Sequence, residues 1–115
     1  MVVGTLGVMD AGSAFSATID GDGARMTVSA AGEIDLLVAP DLRTALVDAT
    51  QSGAHVVALD LSSVSFIDST GLSVIVHAWR RLGADGRNLV VTAASEPVTR
   101  VMTTTGVAEL LGLHA

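Results

Sequence analysis

Val56-Val57-Ala58-Leu59-Asp60-Leu61, with Phe66-Ile67-Asp68-Ser69-Thr70-Gly71-Leu72 close behind it, is the stretch on which the fold turns. Within His55 to Leu61, Val56, Val57, Ala58 and Leu59 are apolar on both faces of an extended chain, which suits a strand in the middle of a covered sheet. Beyond Gly71, Leu72, Ile75, Val76, Trp79 and Leu82 fall on one face of a helix ending near Gly83, with Ser73, His77, Arg80 and Arg81 opposite. Residues 62–67 between them read as a loop. Asp68, Ser69 and Thr70 stand where that loop enters the helix, and any of the three side chains can accept a first-turn N–H as its cap. In α/β sheets chemistry collects at such places, where a strand's carboxyl end meets the next helix. A cap needs only one of the three. Phe66 and Ile67 are expected to clamp the loop to the core and hold the remaining hydroxyls outward, open to modification.

The pattern extends in both directions. Phe15, Ala17 and Ile19 alternate with polar residues, and Met26 to Ala31 resumes the alternation, so 15–32 reads as a hairpin turning at Gly21-Asp22-Gly23. Those glycines do not make a dinucleotide loop, because the third glycine is missing and a strand follows instead of a helix. After Gly32-Glu33-Ile34-Asp35, Pro40 and Asp41 fit a first helical turn. Leu42, Ala45, Leu46 and Ala49 line one face before Gly53. Asn88 to Ala94 is a further buried-type strand. Ser95 caps a helix with Pro97 in its first turn and Val98, Val101 and Met102 inward, ending at Gly106. Leu110 to Leu113 reads as a short last strand. Helices between successive strands give an α/β fold with a mixed sheet. Residues 1–13 are expected to be a flexible N-terminal arm with at most one short added strand, and residues 14–115 one domain.

Composition excludes several classes of function. The 115 residues are 50% hydrophobic and 16% charged, too apolar for a disordered chain. Twelve acids face six bases, a formal charge of −6. The bases are all arginine, and only Arg80 and Arg81 adjoin, so the clustered cations of a nucleic-acid surface are missing. No cysteine or lysine is present, which removes thiol and amine chemistry. No two histidines are spaced for a zinc helix. No run approaches the roughly 18 apolar residues of a membrane span. MVVGTLGVMD has neither the basic flank nor the apolar core of a secretory signal, so the expected address is the cytoplasm, with no insertion into a membrane.

Phe66-Ile67-Asp68-Ser69-Thr70-Gly71-Leu72, preceded by Val56 to Leu61, resembles the signature of bacterial anti-sigma factor antagonists of the STAS superfamily. Gly32-Glu33-Ile34-Asp35 resembles that family's second motif, and the likeness spans about residues 14–114 in the right order. It implies a mixed sheet of four to five strands with helices packed on one side. It also implies a switch without catalysis, cofactor or metal. The serine after the aspartate, here Ser69, corresponds to the residue phosphorylated by a serine kinase that is also the anti-sigma factor; Thr70 is the second candidate. The unmodified form binds that kinase and releases the sigma factor, and a PP2C-type phosphatase restores it. Asp35 and Asp68 correspond to acidic positions beside the acceptor. With Ser69, Thr70, Gly71, Ser73 and His77 they form the expected partner surface. Ser73 stands where the family often has glycine, and the C-terminal strand is short.

Three other readings share parts of this pattern. A phospho-accepting receiver domain would use Asp60 at a strand end, but receivers need a lysine and an acidic cluster after the first strand. A hydrolase would pair Ser69 with His55, His77 or His114, yet no Gly-x-Ser-x-Gly elbow is present. The same fold also serves as a module of transporters or stress-sensing complexes without a kinase switch, and the intact Asp68-Ser69-Thr70 favours the switch.

Overall fold

A computed structural model describes residues 5–10 and 15–113. Strands β1 (Thr5–Asp10), β2 (Phe15–Gly21) and β3 (Arg25–Ile34) precede α1 (Ala39–Thr50), β4 (Val56–Ile67), α2 (Ser69–Ala84), β5 (Asn88–Ala94), α3 (Glu96–Thr104) and the single-turn α4 (Val107–Leu110). The sheet order is β1-β2-β3-β4-β5. β1–β2 and β2–β3 are antiparallel, whereas β3–β4 and β4–β5 are parallel. Two ways of connecting strands explain this mixture. Gly21 to Ala24 is too short for anything but a hairpin, and there the Asp22 carboxylate accepts the N–H groups of Ala24 and Arg25 at 3.1 and 3.2 Å. A helix links β3 to β4 and another links β4 to β5, and a helical crossover returns the chain parallel.

Alternation along the strands fixes which face the helices cover. Phe15, Ala17, Ile19, Met26, Val28 and Ala30 are buried and join one core with Leu42, Leu46, Ile75 and Leu82 of the helices. Their neighbours Ser16, Thr18, Thr27 and Ser29 point to the other face and remain partly exposed. All the helices therefore pack on one side. Burying about ten large aliphatic side chains completely, at roughly 1.5–3 kcal/mol each, is the main force holding the helices there.

Four local expectations need correction. Residues 62–67 are not a loop: β4 continues to Ile67, pairing Ser63 with Ala31 and Ile67 with Ile34 across register shifts. Polar, exposed Ser62, Ser63 and Ser65 disguise the extension, and the bulge breaks the two-residue period. Asp60 consequently lies within the strand rather than at its end, where its carboxylate accepts the Ser62 N–H at 2.9 Å and hydroxyl at 2.7 Å. Leu110 to Leu113 is not a strand. Gly106 at φ 78° ends α3 and starts α4, and Gly112 at φ 74° turns the chain again. One sheet-like bond survives there, from the Val91 N–H to the Leu111 carbonyl at 2.8 Å. On α2, Val74 is buried while Val76 and Trp79 are partly exposed, so the inward stripe is rotated from the one expected.

Candidate functional site

β3 and β4 end side by side, and that places the two sequence motifs together. Glu33 pairs with Phe66 and Ile34 with Ile67. The Asp68 N–H donates to the Ile34 carbonyl at 3.1 Å, stitching the end of one motif to the other. Each chain then leaves the sheet through an aspartate. Asp35 accepts the N–H groups of Leu37 and Val38 at 3.0 and 3.3 Å, shaping the turn that leads into α1. Asp68 caps α2: its carboxylate accepts the N–H of Thr70 at 3.0 Å, the N–H of Gly71 at 3.1 Å and the Thr70 hydroxyl. Of the three possible caps, the structure selects Asp68.

That cap also fixes the charge at the site. The Thr70 hydroxyl, and after it the N–H of Gly71, hold the Asp68 carboxyl below its ordinary value of 3.8; desolvation opposes them, and the N–H groups of Thr70 and Leu36 add lesser lowering effects. Asp68 is therefore an anion at neutral pH, seated where the helix dipole favours one. Because its carboxylate already takes two first-turn N–H groups, the helix end has less to offer a second anion.

The two hydroxyls beside it differ. Thr70 is half-buried and spends its proton on Asp68. Ser69 is exposed, and its hydroxyl makes no hydrogen bond with any described residue. Gly71 is buried beneath them. A Cβ built there would lie 2.6 Å from Ile34 Cγ2 and 2.8 Å from Ile67 Cγ1, so the missing side chain lets α2 approach the strand ends. Partner contact, expected of Gly71, is thus not what its surroundings offer; close packing is. Ser73 and His77 are exposed one and two turns further along α2. Sequence reasoning missed the large apolar side chains exposed where β3 and β4 end: Leu36 is 68% exposed, Leu37 84% and Phe66 48%. Only Ile67 of the expected Phe66–Ile67 clamp is in the core. The exposed leucine pair was legible as two large apolar residues between Asp35 and the α1 stripe.

Residues 17–112 match the protein family described as "Mlab, STAS domain". The anti-sigma-B factor antagonist of Staphylococcus epidermidis is 36% identical over 87 residues, which is 76% of this chain and 81% of the relative. The chain belongs to the STAS-domain family of anti-sigma factor antagonists. The anti-sigma-B factor antagonist of Bacillus subtilis is likewise 36% identical, over 76% of this STAS chain and 80% of its own. Among solved structures, an anti-sigma factor antagonist from Mycobacterium paratuberculosis superposes with a TM-score of 0.78 at 26% identity, covering 87% of this chain and 85% of the other. SpoIIAA in its unphosphorylated form shares the fold, with a TM-score of 0.71 at 19% identity over 82% of this chain and 84% of its own.

Among the described residues no group of three or more His, Asp or Glu is placed to hold a metal ion. No helix among them is long and apolar enough to cross a membrane. His55 is exposed at the opposite end of β4 from Ser69, so the two are not a catalytic pair. His114 lies outside the described residues.

Proposed function

We propose that this STAS domain is an anti-sigma factor antagonist of the cytoplasm whose binding is switched off by phosphorylation at Ser69. In this reading the unmodified protein docks on an anti-sigma factor that is also a serine kinase, and the sigma factor is released. The observation that carries the choice of residue is the contrast between neighbours: the Ser69 hydroxyl is exposed and unbonded, whereas Thr70 is tied to Asp68. The exposed side chains of Leu36, Leu37 and Phe66 supply the apolar part of the docking surface. Asp35, Asp68, Ser73 and His77 contribute its polar part.

The chemistry belongs to the kinase. Ser69 Oγ attacks the γ-phosphorus of ATP, the bond to the β-phosphate oxygen breaks, ADP leaves, and the hydroxyl proton passes to a base. Asp68 is unsuited to be that base, since its carboxyl is held below the ordinary value and already accepts the Thr70 hydroxyl. The base is therefore the kinase's, and this chain is a substrate rather than an enzyme. A PP2C-type phosphatase reverses the step by adding water across the O–P bond and releasing phosphate.

Modification brings roughly −1.5 to −2 charges at neutral pH to a position beside the ionised Asp68. Two of the N–H groups that would soften that repulsion are already committed to Asp68. The fold survives, because Ser69 points into solvent, but a surface shaped for a neutral hydroxyl must desolvate a dianion without pairing it. At about 1.4 kcal/mol per tenfold, a loss of a few kcal/mol weakens binding by two orders of magnitude or more. Incubation with the cognate anti-sigma factor and ATP, followed by mass spectrometric mapping, tests the reading. Phosphate on Ser69, lost in Ser69→Ala, is expected. Phosphate on Thr70 alone, or binding only to transporter subunits, would overturn it.

A further inference from the structure

α1 and α2 leave the same end of the sheet and run alongside each other, and between them lies an open groove of about 790 Å³. Its floor is apolar, with Leu46, Val74 and Leu82 from the core and Val47, 40% exposed, on the rim. Its charge is opposite to that of the molecule. The chain carries a formal −6, yet three of its six basic residues, Arg43, Arg81 and Arg87, line this groove, with His77 among them and Asp85 as the one acid. Arg87 donates to the carbonyls of Ala54 and Thr50 at 2.8 and 2.6 Å, closing the far end. Arg43 and Arg81 are exposed and form no ion pair with any described residue.

The arrangement of these cations identifies the occupant. Arg43 stands about 6 Å along α1 from its first residue and Arg81 about 18 Å along α2, at 1.5 Å per residue. Positive charge is thus spread along both walls instead of gathered at one end. A small anionic amphiphile would fit the volume, but it has a single charged head and would use one cation site. A segment of three to four helical turns, about 16–22 Å long, matches the wall helix α1, whose 12 residues span about 18 Å, and carries charge at several levels. We propose that the groove between α1 and α2 is a docking site for an acidic amphipathic helix of a protein partner. The apolar stripe of that helix lies on Leu46, Val47 and Val74, and its flanking carboxylates meet Arg43 and Arg81, a helix-in-groove contact. Leu36, Thr70 and Ser73 also line the groove, so its near end adjoins the surface around Ser69.

The test is an NMR titration of the isotopically labelled full chain with a synthetic helical peptide of about eighteen residues, bearing leucines at i, i+3, i+4 and i+7 and glutamates on the flanks. Saturable shifts confined to residues of α1 and α2 facing the groove are expected, with affinity falling as salt is raised. Arg43→Glu with Arg81→Glu should weaken binding by at least about tenfold while leaving the remaining spectrum in place. The titration uses neither kinase nor phosphate, so its outcome is independent of the phosphorylation switch. Equal binding of a peptide with lysines for glutamates, shifts centred on Leu37 and Phe66 outside the groove, no binding at all, or binding of dodecanoate but not of the peptide would each overturn the proposal.

Discussion

Replacing Gly71 by alanine tests how Ser69 is positioned, and the structure supplies the magnitude. The added Cβ would sit 2.6 Å from Ile34 Cγ2, 2.8 Å from Ile67 Cγ1 and 3.2 Å from Ile67 Cδ1. Neither isoleucine can swing aside, since both are in the core at 0% and 3% exposure. Overpacking of this kind costs about 1–3 kcal/mol. The better helix propensity of alanine returns at most about 1 kcal/mol, and less in a first turn. The net is a destabilisation of about 1–2 kcal/mol, equivalent to a drop of roughly 4–10 °C in Tm. Gly83 in the same helix is the control. A Cβ there meets nothing within 4 Å, so Gly83→Ala should stabilise by about 0.5–1 kcal/mol. Thermal and urea unfolding followed by Trp79 fluorescence and circular dichroism would measure both. If the two variants shifted together, in either direction, α2 would not approach the strand ends as described and the placement of Ser69 would lose its basis.

Further outcomes follow from single contacts. Arg87→Lys should destabilise by about 1–3 kcal/mol in urea unfolding, because an ammonium cannot make both the Ala54 and Thr50 bonds. Thr70→Val should raise the Asp68 carboxyl toward its ordinary value, read by side-chain NMR titration, since the hydroxyl is the largest cause of its depression. Asp68 has a lower pKa folded than unfolded. Its contribution is therefore complete above the unfolded value near 3.8 and is lost as pH falls through the folded one. In acid unfolding, Asp68→Asn should accordingly lose less stability than the wild type below about pH 4; parallel curves would contradict this.

Much of this architecture was legible in the chain because it is written in local periods. Phe15, Ala17 and Ile19 advertise β2, Leu42 to Ala49 advertise α1, and Ser95 announces α3 by capping it, accepting the Val98 N–H at 3.4 Å. The failures share a cause: they depend on contacts distant in sequence. Ser62 to Phe66 look like a loop until β3 is laid beside them, and Leu110 to Leu113 look like a strand until two positive-φ glycines are seen to bend the chain. At the site, the composition of Asp68-Ser69-Thr70 shows that one residue caps and another is free. Which is which is decided by where the Asp68 carboxylate points. The groove was invisible, since its walls come from helices about thirty residues apart and no single segment carries its charge pattern.

The affinity of the unmodified and the Ser69-phosphorylated protein for the cognate anti-sigma factor, measured side by side by calorimetry, bears most directly on the switch. The phosphorylated form is expected to bind at least about a hundredfold more weakly while melting within a few degrees of the unmodified one. Equal affinities, or a loss of binding that merely tracks unfolding of the domain, would contradict it.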